Sequence, residues 1–179
     1  MSFGLLLAGV LLVPAAYLVE SATREAGGGA KVGAAAPAFS LESLESLGAP
    51  GGAVALGDLT GQVVLLDFWA TWCAPCRKTL PGLSDLMRRN PGLAVLAASL
   101  DEDRAKARDF LRRLPGGNPV FRVLHDSGRK AAETYGLKGM PAAVLIDGKG
   151  ILRGRYDGYT ERDLAAMETA IRALLEEKP

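Results

Sequence analysis

Trp72-Cys73-Ala74-Pro75-Cys76 holds the only two cysteines in a chain of 179 residues. Two thiols three positions apart, with no third to compete, can close a disulfide only with each other. Placed at the start of a helix, both sulfurs lie near its first turn, with the first facing the N-terminal end. The unpaired N–H groups and the positive end of the helix dipole there favour a thiolate over a thiol. Such a pair can exchange a disulfide with a partner and then reset itself. Cys-x-x-Cys is also half of a tetrahedral zinc site, which needs about four protein ligands when structural and three when catalytic. The chain has one histidine, His125, so a zinc site would have to recruit carboxylates. Ligand supply therefore favours redox chemistry, and no metal or other cofactor is expected. A purely structural disulfide would close too short a loop to stabilise the fold much. A Cu(I) carrier remains the alternative from another class, with both thiolates as soft ligands and His125 the obvious third.

The elements that must position this pair can be read around it. Val63 to Trp69 is apolar except for Asp67, the pattern of a strand covered on both faces, and the cysteines follow it directly. From Cys76, Leu80, Leu83 and Met87 recur at helical spacing, with Pro81 kinking the interior. Leu93 to Leu100 reads as a second strand, after which Asp101 is expected to cap a charged helix reaching about Leu114. Val120 to Leu124 is a third strand, and Arg129 to Tyr135 a short helix stopped by Gly136. Ala142 to Ile146 and Ile151 to Arg155 flank a hairpin turn at Asp147-Gly148-Lys149-Gly150. Thr160 and Asp163 resemble a capping box opening a last helix, with Leu164, Met167, Ile171, Leu174 and Leu175 on one face. Before all of these, Ala38 to Leu59 suggests a small β-hairpin or extended lead-in. The fold class is α/β, a mixed sheet flanked by helices.

The composition is that of an ordinary folded protein: 49% hydrophobic, 23% charged and a net charge of +1. Nothing in that balance points to nucleic acid or a strongly charged substrate. Phe3 to Val19 carries no charge and as a helix would span about 26 Å, just short of a hydrocarbon core of about 30 Å. Residues 1–25 are therefore expected to be a signal anchor or a signal peptide. The uncleaved anchor is preferred, because Met1-Ser2 lacks Lys or Arg and no clean small-x-small site follows. Residues 26–37 read as a flexible Gly/Ala-rich linker and 38–179 as the folded domain. Glu20, Arg24, Glu25 and Lys31 leave the orientation by charge undecided. A tethered dithiol has its most obvious work where disulfides form, which places the domain outside the cytoplasm.

The segment Asp67-Phe68-Trp69-Ala70-Thr71-Trp72-Cys73-Ala74-Pro75-Cys76 resembles the active-site segment of the thioredoxin superfamily. Pro81 stands where that family kinks its active-site helix, and Gly139-Met140-Pro141 resembles its cis-proline loop. The resemblance runs from about Ala38 to Glu177. The anchor, the lead-in hairpin and the charged helix after Leu100 resemble the extracytoplasmic TlpA/ResA-type thiol reductases, which include reductases of cytochrome c maturation.

This resemblance implies a thioredoxin-like fold and a role for each site residue. Cys73 would attack a client disulfide, and Cys76, one turn in and shielded, would resolve the mixed disulfide. Asp67 is the lone polar residue of its strand, and burial should raise its pKa toward neutrality, where it can pass a proton. By resemblance it would do so for Cys76. Pro141 would be cis, facing the cysteines and leaving the Met140 backbone free to pair with a substrate strand. Trp72 would form an apolar rim beside Cys73, whereas Trp69 would be core. Some relatives carry glutamate where this chain has Ala74, so a preference resting on that acid is not expected here.

Thr71 stands two residues before Cys73 where a peroxiredoxin would need a threonine three before, which disfavours peroxide reduction. Arg77 and Lys78 read as a solvated helix face, and His125 as a loop or strand-end residue without a role. The expected activity is thus that of a single-pass bacterial membrane protein with its domain on the periplasmic side, or of a periplasmic protein if the segment is cleaved. It would reduce disulfides of a client protein, draw electrons from a membrane thiol carrier, and act as a monomer without nucleic acid.

Overall fold

The computed structural model describes residues 29–44, 52–114 and 119–177. The expected signal or anchor helix within residues 1–25 lies outside the described residues. Among those that are described, no helix is long and apolar enough to cross a membrane. In chain order the elements are β1 (Ser40–Ser43), β2 (Ala53–Ala55), a 3-10 turn (Leu56–Leu59), β3 (Val63–Trp69), α1 (Ala74–Arg89), β4 (Leu93–Ser99), α2 (Arg104–Leu111), β5 (Arg122–His125), α3 (Lys130–Tyr135), β6 (Ala142–Ile146), β7 (Leu152–Asp157) and α4 (Asp163–Glu176). The strands form one sheet in the order β2-β1-β5-β4-β3-β6-β7. β3–β4 and β4–β5 are parallel, while β1–β2, β1–β5, β3–β6 and β6–β7 are antiparallel. The sheet is therefore mixed, as the sequence indicated, and the lead-in pair β1–β2 extends it through β5.

β3 is buried at all of its positions, central in the sheet and packed by α4 and by Phe110 of α2, which is why its sequence shows no polar face. Trp69 at its end is fully buried, with its ring centroid 5.6 Å from that of Phe110 on α2. α1 buries Leu80, Leu83 and Leu86, and Met87, on the same helical spacing, is half-buried and packs against the core. The helix runs on through Pro81, whose missing N–H leaves the Arg77 carbonyl without its usual partner. Next to it, Gly82 admits the close approach of α4: a Cβ there would lie 2.5 Å from Leu164 Cδ1. α4 turns Leu164, Met167, Ile171 and Leu174 inward, as its periodicity predicts.

Two caps differ from expectation. α2 begins at Arg104 and is capped by Asp103, whose carboxylate accepts from the Ala105 N–H at 2.8 Å. Asp101 is instead buried, drawn inward by donors described below. At α4 the Asp163 carboxylate accepts from both the N–H and the hydroxyl of Thr160, at 2.6 and 2.8 Å. Only half of a reciprocal capping box is present, because the Thr160 hydroxyl donates to the carboxylate rather than receiving a backbone N–H.

Candidate active site

β3 and β4 end side by side, and the chain leaves β3 into a loop held by a buried carboxylate. Asp101 accepts from the Thr71 N–H at 2.9 Å, the Thr71 hydroxyl at 2.6 Å and the Ser99 hydroxyl at 2.9 Å. The Asp101 carbonyl is 2.8 Å from His125 Nε2, so this contact occupies that ring nitrogen at the end of β5. Thr71, two residues before Cys73, thus has its hydroxyl committed to Asp101. Past this loop Cys73 becomes the N-cap of α1, with Ala74 and Pro75 in the first turn, where proline forfeits no helical bond.

Cys73 and Cys76 are joined in a disulfide, with Cα atoms 5.3 Å apart. The Cys76 N–H points at Cys73 Sγ at 3.2 Å. The helix N-terminus therefore directs a donor onto the first sulfur, the environment that stabilises a thiolate. The sulfurs differ in access: Cys73 is 6% exposed and Cys76 is fully buried. Arg77 and Lys78 are exposed, as the helix spacing suggested.

Asp67 lies on β3, the strand that leads into the cysteine loop, opposite Ala97 of β4 and Ala143 of β6. It is buried, and its Oδ1 accepts from the Tyr159 hydroxyl at 2.6 Å. Its Oδ2 is buried with no hydrogen-bond partner among the described residues. Burial pushes the carboxyl from an ordinary 3.8 up to about 7, against the opposing pull of the Tyr159 hydrogen bond. Burial likewise holds the Tyr159 hydroxyl well above its usual range, with the Asp67 charge adding to it.

The Met140–Pro141 bond is cis. Pro141 is buried immediately before β6, beside the end of β3 because Phe68 pairs with Ala142. Its carbonyl accepts from the Gly158 N–H at 2.8 Å, which ties the end of β7 to the loop. Met140 is half-buried, and Trp72 is 59% exposed beside Cys73. Tyr159, Thr160, Glu161 and Arg162 face Ala74, Pro75, Lys78 and Thr79 across a groove of about 530 Å³. Among the described residues no group of three or more His, Cys, Asp or Glu is arranged to hold a metal ion.

Two residues at this site escaped sequence reasoning. Tyr159 is separated from Asp67 by 92 positions, and the pairing of β3 with β6 and β6 with β7, with the Gly158 N–H on the Pro141 carbonyl, brings it there. Arg129 adopts a left-handed backbone, φ 54°, and its guanidinium carbon lies 5.7 Å from the centroid of the Trp72 ring. The one available signal for Tyr159 was its place directly before the Thr160–Asp163 turn.

A sequence profile described as the AhpC/TSA family matches residues 32–155. The chain is similar to the thiol:disulfide interchange protein DsbE of Yersinia pestis, with 37% identity over 155 residues, covering 83% of this chain and 79% of that protein. It is also similar to the thiol-disulfide oxidoreductase ResA of Bacillus thuringiensis, with 34% identity over 122 residues, covering 67% of this chain and 66% of that protein. In three dimensions it is similar to a DsbE-type thiol:disulfide interchange protein of Chlorobium tepidum, with a TM-score of 0.73 and 36% identity, covering 82% of this chain and 99% of that one.

Proposed function

Since the chain belongs to the AhpC/TSA family and is a thiol-disulfide oxidoreductase of the DsbE/ResA type, we propose that it works as a reductase of protein disulfides outside the cytoplasm. In this reading the Cys73 thiolate attacks one sulfur of a client disulfide, and the other client sulfur leaves as a thiolate. Cys76 gives up its proton to Asp67 and attacks Cys73 Sγ. The mixed disulfide breaks, the second client thiolate departs, and the Cys73–Cys76 disulfide remains. The client has gained two electrons and the cysteine pair has lost two, so a membrane thiol carrier must reduce the Cys73–Cys76 disulfide with two of its own before the next turnover.

The observation that carries this reading is the asymmetry of the pair: a slightly exposed Cys73 at the helix N-cap and a fully buried Cys76 one turn in. Asp67, buried with one oxygen unpartnered, supports the proton step. Trp72 and the Met140 backbone beside cis Pro141 would seat the client as an added strand, the side chain as an apolar rim. The uncharged segment 3–19 would tether the monomer to a bacterial membrane, and cytochrome c maturation is the process we assign to it.

Cys76→Ser tests this reading directly. The variant should accumulate a mixed disulfide through Cys73 with its client in cells, while Cys73→Ser accumulates none. If no adduct forms in cells and the purified dithiol leaves model disulfides intact, the reductase assignment fails.

A further inference from the structure

The Asp67 carboxyl is reached by very little. β4 and β6 present Ala97 and Ala143 opposite it, and the charged residues near the start of α1, Arg77 and Lys78, are exposed. The loop before α4 supplies Tyr159, the one side chain among the described residues that hydrogen-bonds it, by a 2.6 Å contact to Oδ1. Tyr159 is itself buried, yet it contributes to the wall of the groove beside Ala74 and Pro75, which Asp67 does not reach. Thr79 shares that wall. Its hydroxyl donates to the Cys76 carbonyl at 3.2 Å, and it lines the groove together with Tyr159. Tyr159 thus connects the buried acid to the groove.

We propose that Tyr159 is a positioning residue for the Asp67 carboxyl: by occupying Oδ1 it leaves Oδ2 as the oxygen that takes the Cys76 proton. This rests on the proton role assigned to Asp67 above. The tyrosine keeps its own proton throughout. The proton of Cys76 Sγ passes to Asp67 Oδ2 as the new Cys73–Cys76 bond forms and the bond to the client breaks. A hydroxyl donated to the ionised carboxylate favours that form, so Tyr159 also keeps the acid able to accept a proton near neutral pH. Loss of this hydrogen bond to the charged form should raise the Asp67 midpoint by about one pH unit.

The test is the pH profile of single-turnover reduction of a disulfide-closed peptide by the full-length dithiol protein, for wild type, Tyr159→Phe and Asp67→Asn. Tyr159→Phe keeps the ring and removes only the hydroxyl. The midpoint of its profile should move up by about one unit, with the rate about five-fold lower at pH 7 and recovered near pH 9. Asp67→Asn should lose that limb altogether. Infrared titration of the Asp67 carboxyl in the oxidised proteins should show the same upward shift without any turnover. Should Tyr159→Phe fail to fold, replacing all tyrosines with 3,5-difluorotyrosine, a stronger donor of similar shape, should move the carboxyl midpoint down instead.

A wild-type profile in Asp67→Asn would overturn the proton role itself. A flattened profile in Asp67→Asn, with an unmoved midpoint in Tyr159→Phe or in the fluorinated protein, would overturn the assignment of Tyr159 alone.

Discussion

Two aspartates at opposite ends of β6 are both withdrawn from water, and the protein treats them in opposite ways. Asp147, in the hairpin turn after β6, is 8% exposed, and burial alone would raise its pKa. Its oxygens are instead fully answered. Oδ1 accepts from the N–H groups of Lys149 and Ile151, each at 2.9 Å, and Oδ2 accepts from Arg153, also at 2.9 Å. Together these donors outweigh burial and hold the carboxyl below its ordinary value. Arg153 reaches on to Glu177 and so fastens the end of α4 to the hairpin. Asp67, near the other end of β6, receives one hydroxyl and no cation among the described residues, and its carboxyl is pushed up to about 7. A withdrawn carboxylate with both oxygens hydrogen-bonded and a cation on one of them holds structure. One left half-answered is free to exchange a proton.

The widest test of that contrast is stability against pH. Asp67 has a folded pKa of about 7 against an ordinary 3.8, so its contribution is fully present below about pH 4 and is lost as pH rises through 7. Asp67→Asn should therefore gain on wild type between pH 4 and 7, reaching a few kcal/mol above pH 7. Urea denaturation of the oxidised proteins at pH 5 and pH 8 reads this, and an equal difference at the two values would remove the contrast. Asp147→Asn should act with the opposite sign, destabilising by about 1–2 kcal/mol at neutral pH. That loss should fade below pH 4, because a depressed pKa contributes above the ordinary value and is lost on acidification. Thermal melts at pH 7 and pH 3 should show the gap closing. The smallest effect belongs to neither acid and serves as their control. Arg129→Gly relieves a left-handed backbone at about 1 kcal/mol and gives up an exposed cation–π contact of about half that. A gain of a few tenths of a kcal/mol, independent of pH between 5 and 8, is expected from the same melts.

How much of this could be read in advance follows from the range of the interactions. The cysteine pair at a helix start, the buried strand around Asp67 and the hairpin at Asp147 are local patterns, and each lies where its own periodicity or turn chemistry puts it. The buried state of Asp67 was legible because a lone acid in an apolar strand has nowhere else to go. Its partner was not, because Tyr159 arrives through the long-range pairing of β3, β6 and β7, which no local spacing encodes. Asp101 misled for a related reason. It stands where a helix cap is common, but Thr71, thirty residues earlier, and Ser99 outbid the helix for its oxygens. Asp103 then served as the cap.

The end of the Gly/Ala-rich stretch has its own consequence. Residues 33–36 exchange backbone hydrogen bonds with the start of β7: Gly33 N–H to Leu152 O, Leu152 N–H to Ala34 O, and Ala36 N–H to Gly150 O. The Pro37 carbonyl accepts from the Tyr135 hydroxyl, and Gly29 lies backbone against backbone on Gly136. β7 is the last strand of the sheet, the position most open to pairing with a foreign chain. A fragment begun at Ala38 would uncover the start of that edge and invite self-association, whereas one begun at Gly29 keeps its own guard against aggregation.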